Sequence, residues 1–450
     1  LREKGHFERQ VNHPIQKGGY AVTKQKWLLL AFSIGLGMCA SIALLASLGG
    51  SGLAAAQSSD APVAGDYVLL GWNDLGMHCY NRDFQNLAVL PPYNNLWAQV
   101  IKRGDPPQIV TTGIEVTYVF TDNTYSVGKS NFWTYAQAIF GLPNPLPANI
   151  GLTGKGLSGS MDLNGDHFQA DGIPLTEFSD SAPTTPQPFQ LATIIAKDTN
   201  TLAVLATAKV VAPVSTEMRC DECHCDTCEA SGDITPTGKV ETNILTLHDK
   251  EELSHYPPGY GPLMQSQPVL CANCHASNAL GKPGLPGIKN LSNAMHGKHA
   301  EEGGFPNDTS GCYKCHPGPT TKCLRDVMST KFGYTCQNCH GDLLHVSQNP
   351  DPWLNEPRCD TCHGSVVHMN DPLYRHSKGH SGVYCEGCHD STHAIAQSSQ
   401  PRDATKFIDL QGYAGTLNKC TVCHLTQPVG AFMHAQLPGG KYHAFLPTIR

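Results

Sequence analysis

Charge is scarce in this sequence. Asp, Glu, Lys and Arg together make up 15% of its 450 residues, and 31 basic side chains face 38 acidic ones, for a formal charge of -7. A nucleic-acid-binding chain needs a positive face, so nucleic acid is not an expected partner. Regular apolar patterning is also scarce: after about residue 216 no long amphipathic helix pattern can be traced. No nucleophile–base motif and no phosphate-binding loop stands out anywhere. In contrast, Gly (44) and Pro (32) exceed average usage, so loops should be plentiful. The 19 cysteines and 22 histidines are far more than a reduced core uses. They call for disulfides, metals or covalently held cofactors.

The amino-terminal part places the chain in a compartment. Lys24 and Lys26 precede an apolar run from Trp27 to Leu48, and small residues follow as far as Ala54-Ala55-Ala56. Residues 24–56 therefore read as a secretory signal, with an uncleaved membrane anchor through 27–48 as the alternative, since about 20 apolar residues span a bilayer. Export to the periplasm or cell surface is the expectation. Cys39 falls within the run without a lipoprotein box around it. Residues 1–23 carry no export signal and are expected to be upstream translation, with Val22 as an alternative start.

Residues 62–215 hold one cysteine, Cys79, and read as an all-β domain, a sandwich or a barrel. In QIVTTGIEVTYVF, Val110, Ile114, Val116, Tyr118 and Phe120 share one parity, as in a half-buried strand. FQLATIIAKDTNTLAVLATAKVV reads as two strands around a turn at Lys197–Asn200. Residues 216–450 differ in texture, with short apolar pieces and frequent Cys and His.

That second half contains eight C-x-x-C pairs, and seven are followed directly by histidine. The seven are Cys220/Cys223/His224, Cys271/Cys274/His275, Cys312/Cys315/His316, Cys336/Cys339/His340, Cys359/Cys362/His363, Cys385/Cys388/His389 and Cys420/Cys423/His424. C-x-x-C-H is the attachment signature of haem c. Two thiols three positions apart can each bond one vinyl group of a single haem, and the next residue points its imidazole at the iron. Zinc ribbons also use C-x-x-C pairs, and disulfides use cysteine pairs, but neither requires a histidine after each one. A chain of seven haem c groups, filling the core that the apolar pattern does not supply, is the expectation for residues 216–450. The eighth pair, Cys225/Cys228, precedes Glu229 and reads as a dithiol beside the first site, with a four-cysteine zinc site as its rival. Cys79, Cys225, Cys228 and Cys323 remain for two disulfides in any of three connectivities.

Eleven further histidines follow residue 216, enough to give every iron a second imidazole and a low potential. His248, His296, His299, His368, His380, His393 and His434 are the candidate distal ligands. His296 and His299, close together in AMHGKHA, suit two neighbouring haems. His368, His380 and His393 lie near the motifs at Cys359 and Cys385. Motif starts are 51, 41, 24, 23, 26 and 35 residues apart, too little chain for separate domains, so the haems should pack closely.

With these seven motifs the region from about 216 to 450 resembles the multihaem c-type cytochromes of periplasmic and extracellular electron transfer, including those of metal-reducing bacteria. The resemblance implies covalent haem c, export before maturation, low-potential electron transfer, and redox proteins or extracellular acceptors as partners. GWNDLGMHCYN and LPPYNNLWAQV in the β region are similar to leading segments of some multihaem cytochromes. No C-x-x-C-K is present, which departs from multihaem nitrite reductases. Two alternatives stand beside the electron carrier: an enzyme with one open haem acting on a small nitrogen or sulfur compound, and a subunit of a conductive filament or surface complex.

Two weaker signals read as ordinary structure. Asp162, Asn164 and Asp166 have calcium-loop spacing, but His167 and Ile173 occupy positions that such a loop gives to Gly and Glu, so a turn is expected. His78 reads as a packed histidine beside a disulfide cysteine, Cys79.

Overall fold

The computed structural model describes residues 65–349, 356–364, 367 and 369–429. The expected signal or anchor and the candidate ligands His368 and His434 lie outside the described residues. Among the described residues no helix is long and apolar enough to cross a membrane. The β-rich region is followed by a part made of loops and short helices, and both belong to one compact unit.

The strands are β1 (Tyr67–Trp72), β2 (His78–Cys79), β3 (Leu87–Ala88), β4 (Asn95–Lys102), β5 (Gln108–Ile109), β6 (Ile114–Phe120), β7 (Ser158–Ser160), β8 (Asp162–Asn164), β9 (His167–Asp171), β10 (Phe189–Asp198), β11 (Val204–Ser215) and β12 (Val269–Leu270). One sheet runs β1-β4-β9-β8 with β5 on β4, the other β2-β11-β10-β6-β7, and β12 pairs in parallel with β3. The two larger sheets share one core: Leu69, Leu96, Ala98 and Val100 from the first meet Val116, Tyr118, Phe120, Ile194 and Val210 from the second. Alternation places these residues inward.

The expected hairpin is present as β10 and β11, antiparallel with a bulge at Ala196/Lys197. Its turn is held by Asp198, whose Oδ1 accepts from the backbone N–H groups of Asn200 and Thr201. The single strand expected from Val110 to Phe120 is instead broken at Gly113, whose φ of 70° suits glycine. The break lets the chain leave the first sheet after β5 and join the second as β6. The calcium-like segment is a plain turn between β8 and β9 at Gly165.

The outer face of the first sheet is covered as well. Val68, Leu70, Trp72, Trp97 and Ile101 pack against Tyr384, Phe407, Leu417 and Val422 from the cysteine-rich half. Burying a side chain such as Leu70 or Phe407 in this way stabilises by about 1.5–3 kcal/mol. Double-sided burial explains why Tyr67–Trp72 and Asn95–Lys102 read as nearly continuous apolar runs. Polar ties cross the same boundary: the Tyr384 N–H donates to Gln99 Oε1 at 3.1 Å, and Arg103 Nη2 donates to the Thr421 carbonyl at 3.0 Å.

Helices arise where the sequence pattern gave none. After α1 (Phe132–Phe140) in the β region and the one-turn α2 (Asp221–His224) come α3 (Val240–Glu252) and α4 (Leu291–Glu302), of 13 and 12 residues. Asn290 caps α4 by accepting from the Asn293 N–H. Neither α3 nor α4 has an apolar stripe, and both carry histidines.

Candidate functional site

Each C-x-x-C-H motif forms one helical turn. The histidine N–H of the first, second, third and seventh motifs donates to the carbonyl of the motif's first cysteine at 2.8–3.0 Å, and the other three are the short helices Cys336–His340, Cys359–His363 and Cys385–His389. Residues three and four apart share a helix face, so one turn presents two sulfurs and one imidazole on the same side. All motif cysteines are free, whereas Cys225 and Cys228, the pair without a histidine, form a disulfide. Cys79 and Cys323 are free thiols, so the bridge expected at Cys79 is not made. His78 beside it is buried, with its Nε2 2.8 Å from the Pro91 carbonyl.

Five motif histidines each face one histidine from elsewhere in the chain. Ring centres are 6.4 Å apart for His224 and His299, 6.3 Å for His275 and His248, 6.0 Å for His316 and His296, 6.1 Å for His340 and His393, and 6.1 Å for His424 and His380. Two imidazoles sharing a metal through Nε2 have bonds of about 2 Å on each side and roughly 1 Å from nitrogen to ring centre, which separates the centres by about 6 Å. The observed pairs have that separation. Among the described residues no group of three or more His, Cys, Asp or Glu converges as a metal site; the imidazoles come in twos, whereas a structural zinc site takes four ligands.

The other ring nitrogen supports the same use. His275, His296 and His299 donate from Nδ1 to the carbonyls of Lys289, Ser292 and Met295 at 2.7–2.9 Å. His248 Nδ1 lies 2.7 Å from the Tyr256 hydroxyl, His393 Nδ1 lies 3.5 Å from Cys323 Sγ, and His424 Nδ1 lies 3.3 Å from Asp105 Oδ1. A ligating histidine typically gives its second N–H to such a partner, which fixes the tautomer and leaves the other nitrogen for the metal. Burial disfavours the charged form of His316 and His393, as ligation requires: it lowers the pKa of His316 to about 4 and of His393 to about 3. Burial also pushes the Cys271 thiol up to about 11 and Cys388 up to about 12. A low-dielectric site favours uncharged sulfur, and a thioether is always uncharged.

His296 and His299 lie one turn apart on α4 and face His316 of the third motif and His224 of the first. His248 on α3 faces His275 of the second. Nearness in sequence misleads for the other two: His380 and His393, close in sequence to the motifs at Cys359 and Cys385, face the seventh and fourth motifs instead. The histidines of the fifth and sixth motifs, His363 and His389, are exposed and half-buried respectively.

Thiols of different motifs also stand close enough to act on one another's charge: Cys271 with Cys220, Cys315 with Cys220 and Cys223, Cys312 with Cys336, Cys339 with Cys362, Cys359 with Cys385, and Cys388 with Cys423. These neighbour relations link the motifs in the order second, first, third, fourth, fifth, sixth, seventh. The β region braces the seventh motif, where Asp105 accepts from the Leu425 and Thr426 N–H groups as well as facing His424. No family model matches this chain, and neither the curated proteins nor the solved structures contain a match to it.

Proposed function

We propose that the chain is an exported electron carrier holding seven haem c groups, one at each C-x-x-C-H turn, with imidazoles on both faces of the irons. The observation that carries this reading is the set of five histidine pairs within the chain, each joining a motif histidine to one distant in sequence and each spaced for one shared metal. When bound, the haems supply a reversible one-electron iron couple at low potential. The protein's part is to fix and space them: cysteine pairs tether each ring, Nδ1 partners orient the imidazoles, and the linear order of motifs makes a path with ends at the second and seventh sites. Electrons then pass between redox proteins or extracellular acceptors with no substrate chemistry along the way.

Carbon monoxide tests this reading against the enzyme alternative. The dithionite-reduced native protein should show low-spin haem bands that carbon monoxide leaves unchanged. A shifted Soret band amounting to one haem per chain would favour an open, substrate-binding iron.

A further inference from the structure

We infer that Cys225 and Cys228 form a redox-active disulfide that exchanges electrons with the first haem site, an inference that rests on the proposed function. The pair begins at the residue after His224, so the disulfide sits directly beside that site. The S–S bond is not needed to hold its turn. The Cys228 N–H donates to the Cys225 carbonyl at 3.0 Å. Fully buried Asn243 donates to the His224 carbonyl at 3.0 Å and to Asp226 Oδ1 at 2.8 Å. Asp226 Oδ1 also accepts from the Gly238 N–H at 3.2 Å.

The surroundings suit both oxidation states. Asp226 and Thr227, the two residues inside the loop, are exposed, so protons can reach the sulfurs. Each sulfur has an acceptor in place for a thiol hydrogen: Thr227 Oγ1 lies 3.6 Å from Cys225 Sγ, and the Asp221 carbonyl lies 3.6 Å from Cys228 Sγ. Accessible disulfides are the reducible ones, and structural disulfides resist reduction. In the reductive direction the S–S bond breaks and the sulfurs take up two protons and two electrons, leaving two thiols. The electrons arrive singly from reduced haems of the same chain, each oxidised by one electron. The reverse step returns both electrons and releases both protons. The pair thus adds a two-electron store to a line of one-electron sites. Asn243 connects it to α3, the helix that carries His248 of the second site.

Thiol trapping on the native holoprotein tests this. Samples are poised anaerobically across the haem reduction range, alkylated, digested and weighed, with haem absorbance read on each. Cys225 and Cys228 should be unlabelled in the oxidised sample and both labelled in the fully reduced one. Reductant uptake should exceed the haem count by two electrons per chain, and this excess should vanish in the C225S/C228S variant with the haem spectrum unchanged. A pair that stays closed while every haem is reduced, or that is open in the oxidised sample, overturns the inference but leaves haem attachment standing. A sample without haem absorbance overturns the proposed function instead.

Discussion

Replacing His296 by alanine should leave the haem content unchanged and convert one haem in seven to a high-spin form that binds carbon monoxide. Under the proposed function Cys312 and Cys315 hold the ring at the third site, so it stays. The iron loses the imidazole that faces His316 at 6.0 Å. The His299→Ala change should do the same to the first site, and the double variant should open two sites. His255, largely exposed and paired with Glu252, serves as the control, and its alanine variant should match the parent. Electron paramagnetic resonance and a carbon monoxide titration read the outcome. A His296→Ala protein with unchanged spin state would show that the observed pair does not share an iron.

The largest effect on stability should come from Asp403→Ala. Arg325 and Asp403 are both buried, joined from Nε at 2.7 Å and from Nη2 at 3.4 Å. The guanidinium also donates to the Cys323 carbonyl and lies over the Phe189 ring. This one residue therefore ties the loop after the third motif to the β region and to the turn before the helix Thr405–Gln411. Removing the carboxylate strands a buried charge, at a cost of about 3–5 kcal/mol. Breaking the half-exposed Lys209–Asp409 pair, at 3.9 Å, should cost less than about 1 kcal/mol. Denaturant unfolding followed by circular dichroism measures both. Equal small losses would mean that water reaches the Arg325 site.

What could be read from the sequence follows how local each feature is. A haem attachment turn needs five consecutive residues, so all seven motifs are legible without the fold. The β10–β11 hairpin is legible for the same reason, because its alternation and its Asp198 turn lie within one stretch. The strand break at Gly113 was hidden because Val110, just before it, keeps the apolar parity of β6. The helices α3 and α4 were hidden because the residues they bury, Thr242, Asn243 and Leu245 in α3 and Gly297 in α4, form no leucine stripe. Histidine count pointed to paired imidazoles, but the partners come together through tertiary packing. His340 meets His393, and His424 meets His380, across intervening motifs. The spatial order of the motifs follows the sequence from the third to the seventh, but the exchange of the first and second has no signature in the chain.

Intact mass combined with metal analysis of the native protein bears most directly on whether sulfur-bound haem fills the carboxyl-terminal half. The polypeptide should carry the added mass of seven haems, retained after denaturation, with seven irons and little zinc. A colourless protein of bare polypeptide mass containing zinc would contradict it.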